Sequence, residues 1–399
     1  MTNKLISTEK TKIIYFLLIA SLVPLIKPQF IYNLTLFDFI NVVFIIFFLT
    51  YIFAKGELQI PLLIPIAVIL IGSLISMFNA QVPVANSLAL IIDLYLFIFF
   101  IVLYNVIETK RELKIFILFW IVFAALEGIF MLADIFPNFV KRSLGTFLNP
   151  NMGSSYLGLS FFLLFQPYAR VGKKLTWLFG FFILSGMLAT KSLAGIIGFF
   201  IGALAMIILY WYREGAFNRI KLVAVLLIIA IIGLVIYPQF AKVPNLFSRF
   251  NRSSYTRIEL WKTGLDTFIK NPLGYGIGPA GFKEVGPEVK GLRSKPKKHA
   301  LHNDWLSFLV ERGVIGFLGM VLLIGTITKM LFQTLRTESS KRESLWITAL
   351  FGMLIFTLSF SFTHEVLHFR HVWCLFVLIA AEHKLRGKNQ EEGQLAYER

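Results

Sequence analysis

Stretches of about 18 to 22 mostly apolar residues, separated by short polar segments, recur along the whole sequence. Such stretches are typical of transmembrane helices, because loops and open sheet edges cannot face lipid. The pattern therefore predicts an all-α polytopic membrane protein with about twelve transmembrane helices. They are expected at residues 12–26, 36–54, 58–77, 85–107, 115–136, 152–169, 175–190, 193–212, 220–237, 313–333, 344–363 and 368–383.

The charge pattern orients these helices. The 399-residue chain is 57% hydrophobic and 15% charged, which excludes a soluble globular protein, and its formal net charge is +17. Most of the excess Lys and Arg falls in alternate short loops, as the positive-inside rule requires when both termini are cytoplasmic. The basic balance thus needs no nucleic-acid partner. The predicted divisions are 1–137 (helices one to five), 138–237 (helices six to nine), 238–312 (a large outer, catalytic loop), 313–383 (the last three helices) and 384–399 (a cytoplasmic tail, predicted to be disordered).

The large outer loop carries an unexpected surplus of cations. Residues 238–305 contain twelve Lys or Arg against five acids, although long translocated loops need no charge bias. This surplus predicts an anionic ligand. Apolar residues recur at helical spacing after Ser253, which predicts an amphipathic helix that ends at Asn271-Pro272. Arg257 in this helix and Arg252 just before it are expected to bind phosphate, and Trp261 lies one turn beyond Arg257 on the same face.

The stretch from His302 to Gly316 combines a candidate base with a packing surface. His302-Asn303 is followed after nine residues by Gly313 and Gly316, which would give another helix a place to pack closely. Asn303 or the following aspartate is predicted to cap a short interfacial helix that precedes the membrane span from Gly313. A helix start and nearby cations disfavour imidazolium, so His302 is a candidate general base. A simple helix cap with a glycine seam is the competing interpretation.

Two short outer turns add polar candidates. Asn149-Pro150-Asn151 follows Arg142, and the two asparagines either form a turn, with Asn151 capping the next helix, or hold hydroxyls or a phosphate. Lys191, in the turn between helices seven and eight, either extends to the interface or reaches the same anion.

Other polar residues within apolar stretches are interpreted as structural. Asp38, Asp93 and Glu127 are expected to make polar links between helices, although buried membrane carboxylates are also functional candidates. His364, His368 and His371 have spacings that zinc would accept, but interfacial histidines at helix ends are commoner, so no metal site is predicted.

Four motifs together resemble the O-antigen ligase family of bacterial glycosyltransferases, which shares its core domain with O-antigen polymerases. They are Gly145-Thr-Phe-x-Asn149-Pro-Asn151, Arg257-x-x-x-Trp261, Asn271-Pro-x-Gly-x-Gly-x-Gly and His302-Asn303-x9-Gly313-x-x-Gly316. The resemblance covers about residues 145–320 and implies a GT-C-like fold. It implies transfer of a glycan from undecaprenyl diphosphate to a sugar hydroxyl, for instance of lipid A-core, without metal or other cofactor. The expected location is the outer face of the bacterial inner membrane, in contact with its lipids.

The resemblance also assigns roles. His302 matches the essential histidine of the family and Arg257 its diphosphate-contacting arginine. Charge alone makes Arg252 and Arg142 further candidate diphosphate contacts, because a diphosphate leaving group develops negative charge. Family members often show Ser-Arg-Gly where this chain has Lys191-Ser192-Leu193, so Lys191 is expected to replace that arginine. The residues expected to position substrate are Asn149, Asn151, Asn303 and Trp261.

Two other functions remain open from the sequence. A polysaccharide polymerase would use the same chemistry with a carrier-linked glycan as acceptor, but polymerases often carry two sizeable outer loops and this chain has one. A transporter of lipid-linked glycans would be expected to show internal repeats, and none is detectable in the sequence.

Overall fold

The computed structural model describes residues 2–24, 35–80, 83–137, 141–168, 172–214, 246–277, 301–336 and 340–397. These residues form a helical bundle. Its helices are α1 (Thr2–Leu22), α2 (Leu36–Lys55), α3 (Leu63–Met77), α4 (Pro83–Val106), α5 (Lys110–Ile135), α6 (Pro150–Phe162), α7 (Lys173–Ala189), α8 (Leu193–Arg213), α9 (Leu246–Lys270), α10 (Asp304–Arg336), α11 (Lys341–Ser361) and α12 (Arg370–Tyr397). A single 3₁₀ turn, Leu163–Phe165, extends α6.

The all-helical prediction is confirmed for this part of the chain. Within the described residues, six helices are long and apolar enough to cross a membrane, and Leu63–Met77 is a shorter apolar helix. The predicted helix 220–237 lies outside the described residues, so the total of about twelve membrane helices stays a prediction. The prediction that the tail 384–399 is disordered was wrong, because α12 continues to Tyr397.

Helices α3 and α10 pack closely because glycines bring their backbones together. A Cβ atom added at Gly72 would lie 2.6 Å from the Cα atom of Gly316, and one added at Gly319 would lie 2.6 Å from the backbone nitrogen of Ile69. The predicted packing surface at Gly316 is therefore confirmed, and α3 is the helix that fills it. Glycines also line the close contact between α5 and α7, at Gly128 and Gly186.

Gly313 does not continue this surface, because α10 breaks there. Its φ of 66° and ψ of −173° are non-helical and divide α10 into a short first part and a long second part. The turn after α9 fills the break with backbone hydrogen bonds. The carbonyl of Pro272 accepts from the Val314 amide (2.9 Å), and the Tyr275 amide donates to the Val310 carbonyl (3.0 Å). Backbone groups that lose helical partners at the kink thus find new ones in the turn.

Gly313→Ala is expected to destabilise the protein. The added Cβ would lie 2.6 Å from the Pro272 carbonyl oxygen, at a positive φ that disfavours alanine. We expect a loss of about 1–3 kcal/mol, seen as a lower thermal midpoint of the detergent-purified protein. Gly325→Ala is the matched control, because it lies in the same helix with no atom within 4 Å of the added Cβ. Equal midpoints for the two variants would contradict this account of the kink.

The turns predicted to face outward meet at one end of the bundle, called here the site end. The Arg142 side chain donates to the Thr190 carbonyl (3.0 Å), and the Asn79 side chain donates to the Gly274 carbonyl (3.0 Å). Arg370 at the start of α12 pairs with Asp38 at the start of α2, which gives that carboxylate the structural partner that the sequence could not identify. Polar groups predicted to lie inside meet at the opposite end, where Lys12 pairs with Glu108 and Glu112, Lys55 pairs with Glu108, and Lys384 donates to the Tyr104 carbonyl.

Candidate functional site

His302 lies at the site end, immediately before α10, in an unusual backbone conformation. Its φ of 52° is in the left-handed region, which non-glycine residues rarely adopt. The amide of His302 donates to Oε1 of Glu365 (3.1 Å), and Oδ1 of Asn303 accepts from the Leu306 amide (3.1 Å) and caps the helix as predicted. The side chain of His302 is half-buried. The surrounding contacts thus hold the backbone of His302 in a conformation that is costly by itself.

The segment between α11 and α12, residues 362–369, supplies these contacts. Oε1 of Glu365 accepts from the Ser307 hydroxyl (2.8 Å) as well as from His302. A further hydrogen bond joins the same two segments, because the Asp304 carboxylate accepts from the Val366 amide (2.8 Å). The sequence predicted no role for Glu365, and this one was therefore missed. Its position in the last outer turn, next to His364, was the available signal.

Helix α9 lies beside the segment that leads into His302. The Trp261 indole donates to the Leu301 carbonyl (3.2 Å), and a Cβ atom added at Gly264 would lie 2.8 Å from Cδ2 of Leu306. Trp261 therefore fixes the residue before His302. Arg257, one turn earlier, is half-buried, and this burial lowers the pKa of its guanidinium. The side chain of Arg252, on the same helix, lies outside the described residues.

Arg142 and the asparagines join two turns of the site end. Arg142 donates to Oδ1 of Asn151 (2.9 Å), which also accepts from the Ser192 hydroxyl (2.9 Å). Asn149, not Asn151, caps α6: its side chain accepts from the Asn151 amide (2.8 Å) while Pro150 occupies the first helical position. The turn interpretation of the asparagines is thus correct for Asn149. Lys191 has a φ of 50° and shapes the turn between α7 and α8.

Glu127 and Thr146 hold the preceding loop. The buried Glu127 carboxylate accepts from the Thr146 amide (2.9 Å) and hydroxyl (2.7 Å), and the added Cβ of Gly145 would lie 2.9 Å from Sδ of Met131. Glu127 thus makes a structural polar link, although to a loop and not to another helix as the sequence predicted. The Gly-Thr-Phe part of the first motif therefore anchors the loop that presents Arg142.

His364 lies among the candidate residues. Its ring centroid is 6.1 Å from that of His302, and Arg257 and Arg142 are near enough to act on it electrostatically. Burial and, to a lesser extent, Arg257, His302 and Arg142 lower the pKa of His364 to about 3. Thr363 donates its hydroxyl proton to the Phe360 carbonyl (3.1 Å) and lies 3.1 Å from Nδ1 of His364. We therefore assign the ring proton to Nδ1 and an acceptor lone pair to Nε2.

The low pKa of His364 predicts acid sensitivity. Because the pKa is about 3 in the folded protein, against 6.5 ordinarily, only the unfolded chain takes up this proton between those values. The contribution to stability is complete above pH 6.5 and falls by up to about 1.4 kcal/mol per pH unit as the pH drops toward 3. We expect the thermal midpoint of His364→Gln to fall less steeply with acid than that of the wild type. Parallel pH profiles would contradict the assignment.

The other two histidines do not join this group. His371 is buried against the Ser155 hydroxyl (Nε2 to Oγ, 3.0 Å), whereas His368 is exposed and its ring lies 5.1 Å from that of Phe369. Among the described residues, no three His, Cys, Asp or Glu side chains are placed to share a metal ion. The zinc spacing in the sequence thus corresponds to three separate environments.

Comparison with known proteins locates part of this site in a recognised domain. Residues 178–321 match the family model described as O-antigen ligase, and this interval includes Lys191, Arg257, Trp261, His302 and Asn303. Over 193 residues the chain is 28% identical to an uncharacterised protein of Haemophilus influenzae, an alignment that covers 43% of this chain and 47% of the relative. The chain thus spans about half the length of the curated relative that it matches. The match over residues 178–321 supports membership of the O-antigen ligase family, as the sequence motifs indicated.

Proposed function

We propose that the protein is an O-antigen ligase-type glycosyltransferase that moves a glycan from undecaprenyl diphosphate to a sugar hydroxyl of an acceptor such as lipid A-core. The family match supports a membrane glycosyltransferase in general. The observation that carries the specific proposal is the grouping of His302 with His364, Arg257 and Arg142 at the site end. A candidate base beside two guanidinium groups suits transfer from a donor with an anionic leaving group.

The proposed reaction is a single displacement. His302 removes the proton of the acceptor hydroxyl, and the oxygen attacks the anomeric carbon of the donor sugar. The bond between that carbon and the diphosphate oxygen breaks, and its electron pair leaves with the diphosphate. Attack opposite the leaving group inverts the anomeric configuration. Arg257 and Arg142 would stabilise the charge on the departing diphosphate, with Arg252 and Lys191 as further contacts.

The residues around His302 are suited to this role. Glu365 accepts from the backbone amide of His302, so it orients the backbone that carries the imidazole. This hydrogen bond does not involve the ring nitrogens. The uncharged His364 adds no positive charge beside His302 and so does not oppose its protonation. Asn151 accepts a hydrogen bond from Arg142, and Trp261 donates one to the Leu301 carbonyl. Asn151 and Trp261 would thereby position groups that contact substrate.

The proposed location is the bacterial inner membrane, with both termini cytoplasmic and the site on the outer face. The charge bias of the loops supports this orientation. The meeting of the predicted outer turns at the site end supports it further, because helices that cross in alternation place alternate turns at the same end.

The test is to deplete the protein in its own host and to size the glycans that remain on the carrier lipid. Long chains stranded on undecaprenyl diphosphate are expected, because a ligase acts after polymerisation. Single repeat units would instead identify a polymerase that uses a carrier-linked glycan as acceptor. Unchanged carrier and surface glycans would refute both enzymes. Restoration by the wild-type gene is the control.

A further inference from the structure

A cavity of about 310 Å³ lies at the site end behind the kink of α10. Helices α3, α4, α10 and α12 contribute to its wall, together with the segment 362–369. Apolar side chains form much of the lining, including Ile92, Phe97 and Phe308. Glu365, whose carboxylate accepts from His302, lines the cavity as well. One of the residues that line the cavity is therefore in direct contact with the backbone of the candidate base.

Several charged side chains contribute to the lining of the cavity. Arg312, whose side chain is 8% exposed, pairs with Asp93 (2.5 Å) and with Glu311 (3.2 Å). Asp304 and Glu365 add two more carboxylates, so four acidic side chains and one guanidinium share the lining. Nε of Arg312 is buried and has no hydrogen-bond partner among the described residues. A buried, unpaired donor in the wall of a cavity calls for an acceptor atom that enters it.

His302 thus contacts residues of two regions that differ in charge. His364, whose ring neighbours that of His302, is acted on by the cations Arg257 and Arg142. Glu365, which accepts from the His302 amide, lines the mainly acidic cavity. An anionic diphosphate is attracted to the first region and repelled by the second. A neutral, hydroxyl-bearing group has no such conflict in the cavity, where carboxylates accept hydrogen bonds from hydroxyls.

We propose that this cavity binds the sugar ring of the acceptor and directs its hydroxyl toward His302. The inference rests on the proposed function and extends it by separating the acceptor position from the donor position. Carboxylates would accept from the ring hydroxyls, Nε of Arg312 would donate to a sugar oxygen, and Phe97 and Phe308 would cover apolar parts of the ring. A hydrocarbon chain fits less well, because it offers no acceptor to the buried Nε of Arg312 and would lie against charged side chains.

Cysteine protection tests this proposal without requiring turnover. The chain has a single cysteine, Cys374, and it is buried. We would introduce Ala89→Cys or Ile92→Cys, both in the cavity lining, and measure the rate of modification by a water-soluble maleimide in the full-length protein. Core oligosaccharide released from lipid A-core is the probe. It is expected to slow labelling at both positions by about fivefold or more when saturating. Val84→Cys, on the same helix at a residue 71% exposed, is the matched control and should be unaffected.

The possible results separate the proposal from its alternatives. Labelling that is equal with and without oligosaccharide, or absent at both cavity positions, would overturn it. Protection by undecaprenyl diphosphate but not by oligosaccharide would assign the cavity to the carrier lipid and overturn it as well. Protection in a protein that transfers no glycan would retain the sugar site and reject the proposed function. Glycan transfer without protection would retain the proposed function and reject the sugar site in this cavity.

Discussion

His302→Ala is expected to lower the rate of glycan transfer by about 10²- to 10⁴-fold, the usual contribution of a general base. The physical reason is that the acceptor hydroxyl would lose the imidazole proposed to remove its proton during attack. The substitution leaves the local backbone contacts available, because Glu365 accepts from the amide of His302 and not from its ring. The measurement is single-turnover transfer from undecaprenyl diphosphate-linked glycan to lipid A-core, with the purified protein in lipid nanodiscs.

His383→Ala is the matched control for this loss. His383 lies in α12 and contacts Thr334 near the end of α10 (3.1 Å), away from the site end. Its replacement should leave transfer within about twofold of the wild type. Undiminished transfer by folded His302→Ala would remove this residue from the mechanism and make His364, with its acceptor nitrogen, the next candidate base.

Arg257→Ala is expected to reduce kcat/KM for the donor by about 10²- to 10³-fold, as removal of one group that stabilises developing negative charge commonly does. Arg257 is half-buried next to the histidine pair, where a charge is screened less than in open water. Arg257→Lys should recover only part of the activity, because an ammonium group retains the charge but lacks the planar pair of donors.

Lys262→Ala distinguishes this specific effect from a general loss of positive charge on α9. The Lys262 side chain is 66% exposed and forms a surface ion pair with Glu259 (3.2 Å). Such pairs contribute little, so neither stability nor transfer should change measurably. If Lys262→Ala and Arg257→Ala lowered donor kcat/KM equally, the helix would act through its overall charge, and Arg257 would have no special role.

The sequence predicted structure best where the pattern that specifies a helix lies within that helix. Hydropathy predicted helices in the described part of the chain because burial in lipid forces each apolar segment to satisfy its own backbone hydrogen bonds. Asn271-Pro272 ended α9 as predicted, since proline cannot continue a helix. The predicted start of α9 was wrong, because the helix begins at Leu246 and the apolar periodicity begins only after Ser253. Local patterns specify helix existence better than helix ends.

The sequence by itself determined the helical class, and it indicated the O-antigen ligase family with His302 and Arg257 as candidate residues, because each depends on local composition or on a short motif. Only the tertiary structure decided which residues surround His302. Glu365 is 63 residues away along the chain, and Arg142 reaches the site from outside the family domain. The kink at Gly313 likewise depends on a turn that precedes it by about 40 residues. Contacts between distant segments arise from helix packing, and no pattern within one segment encodes them.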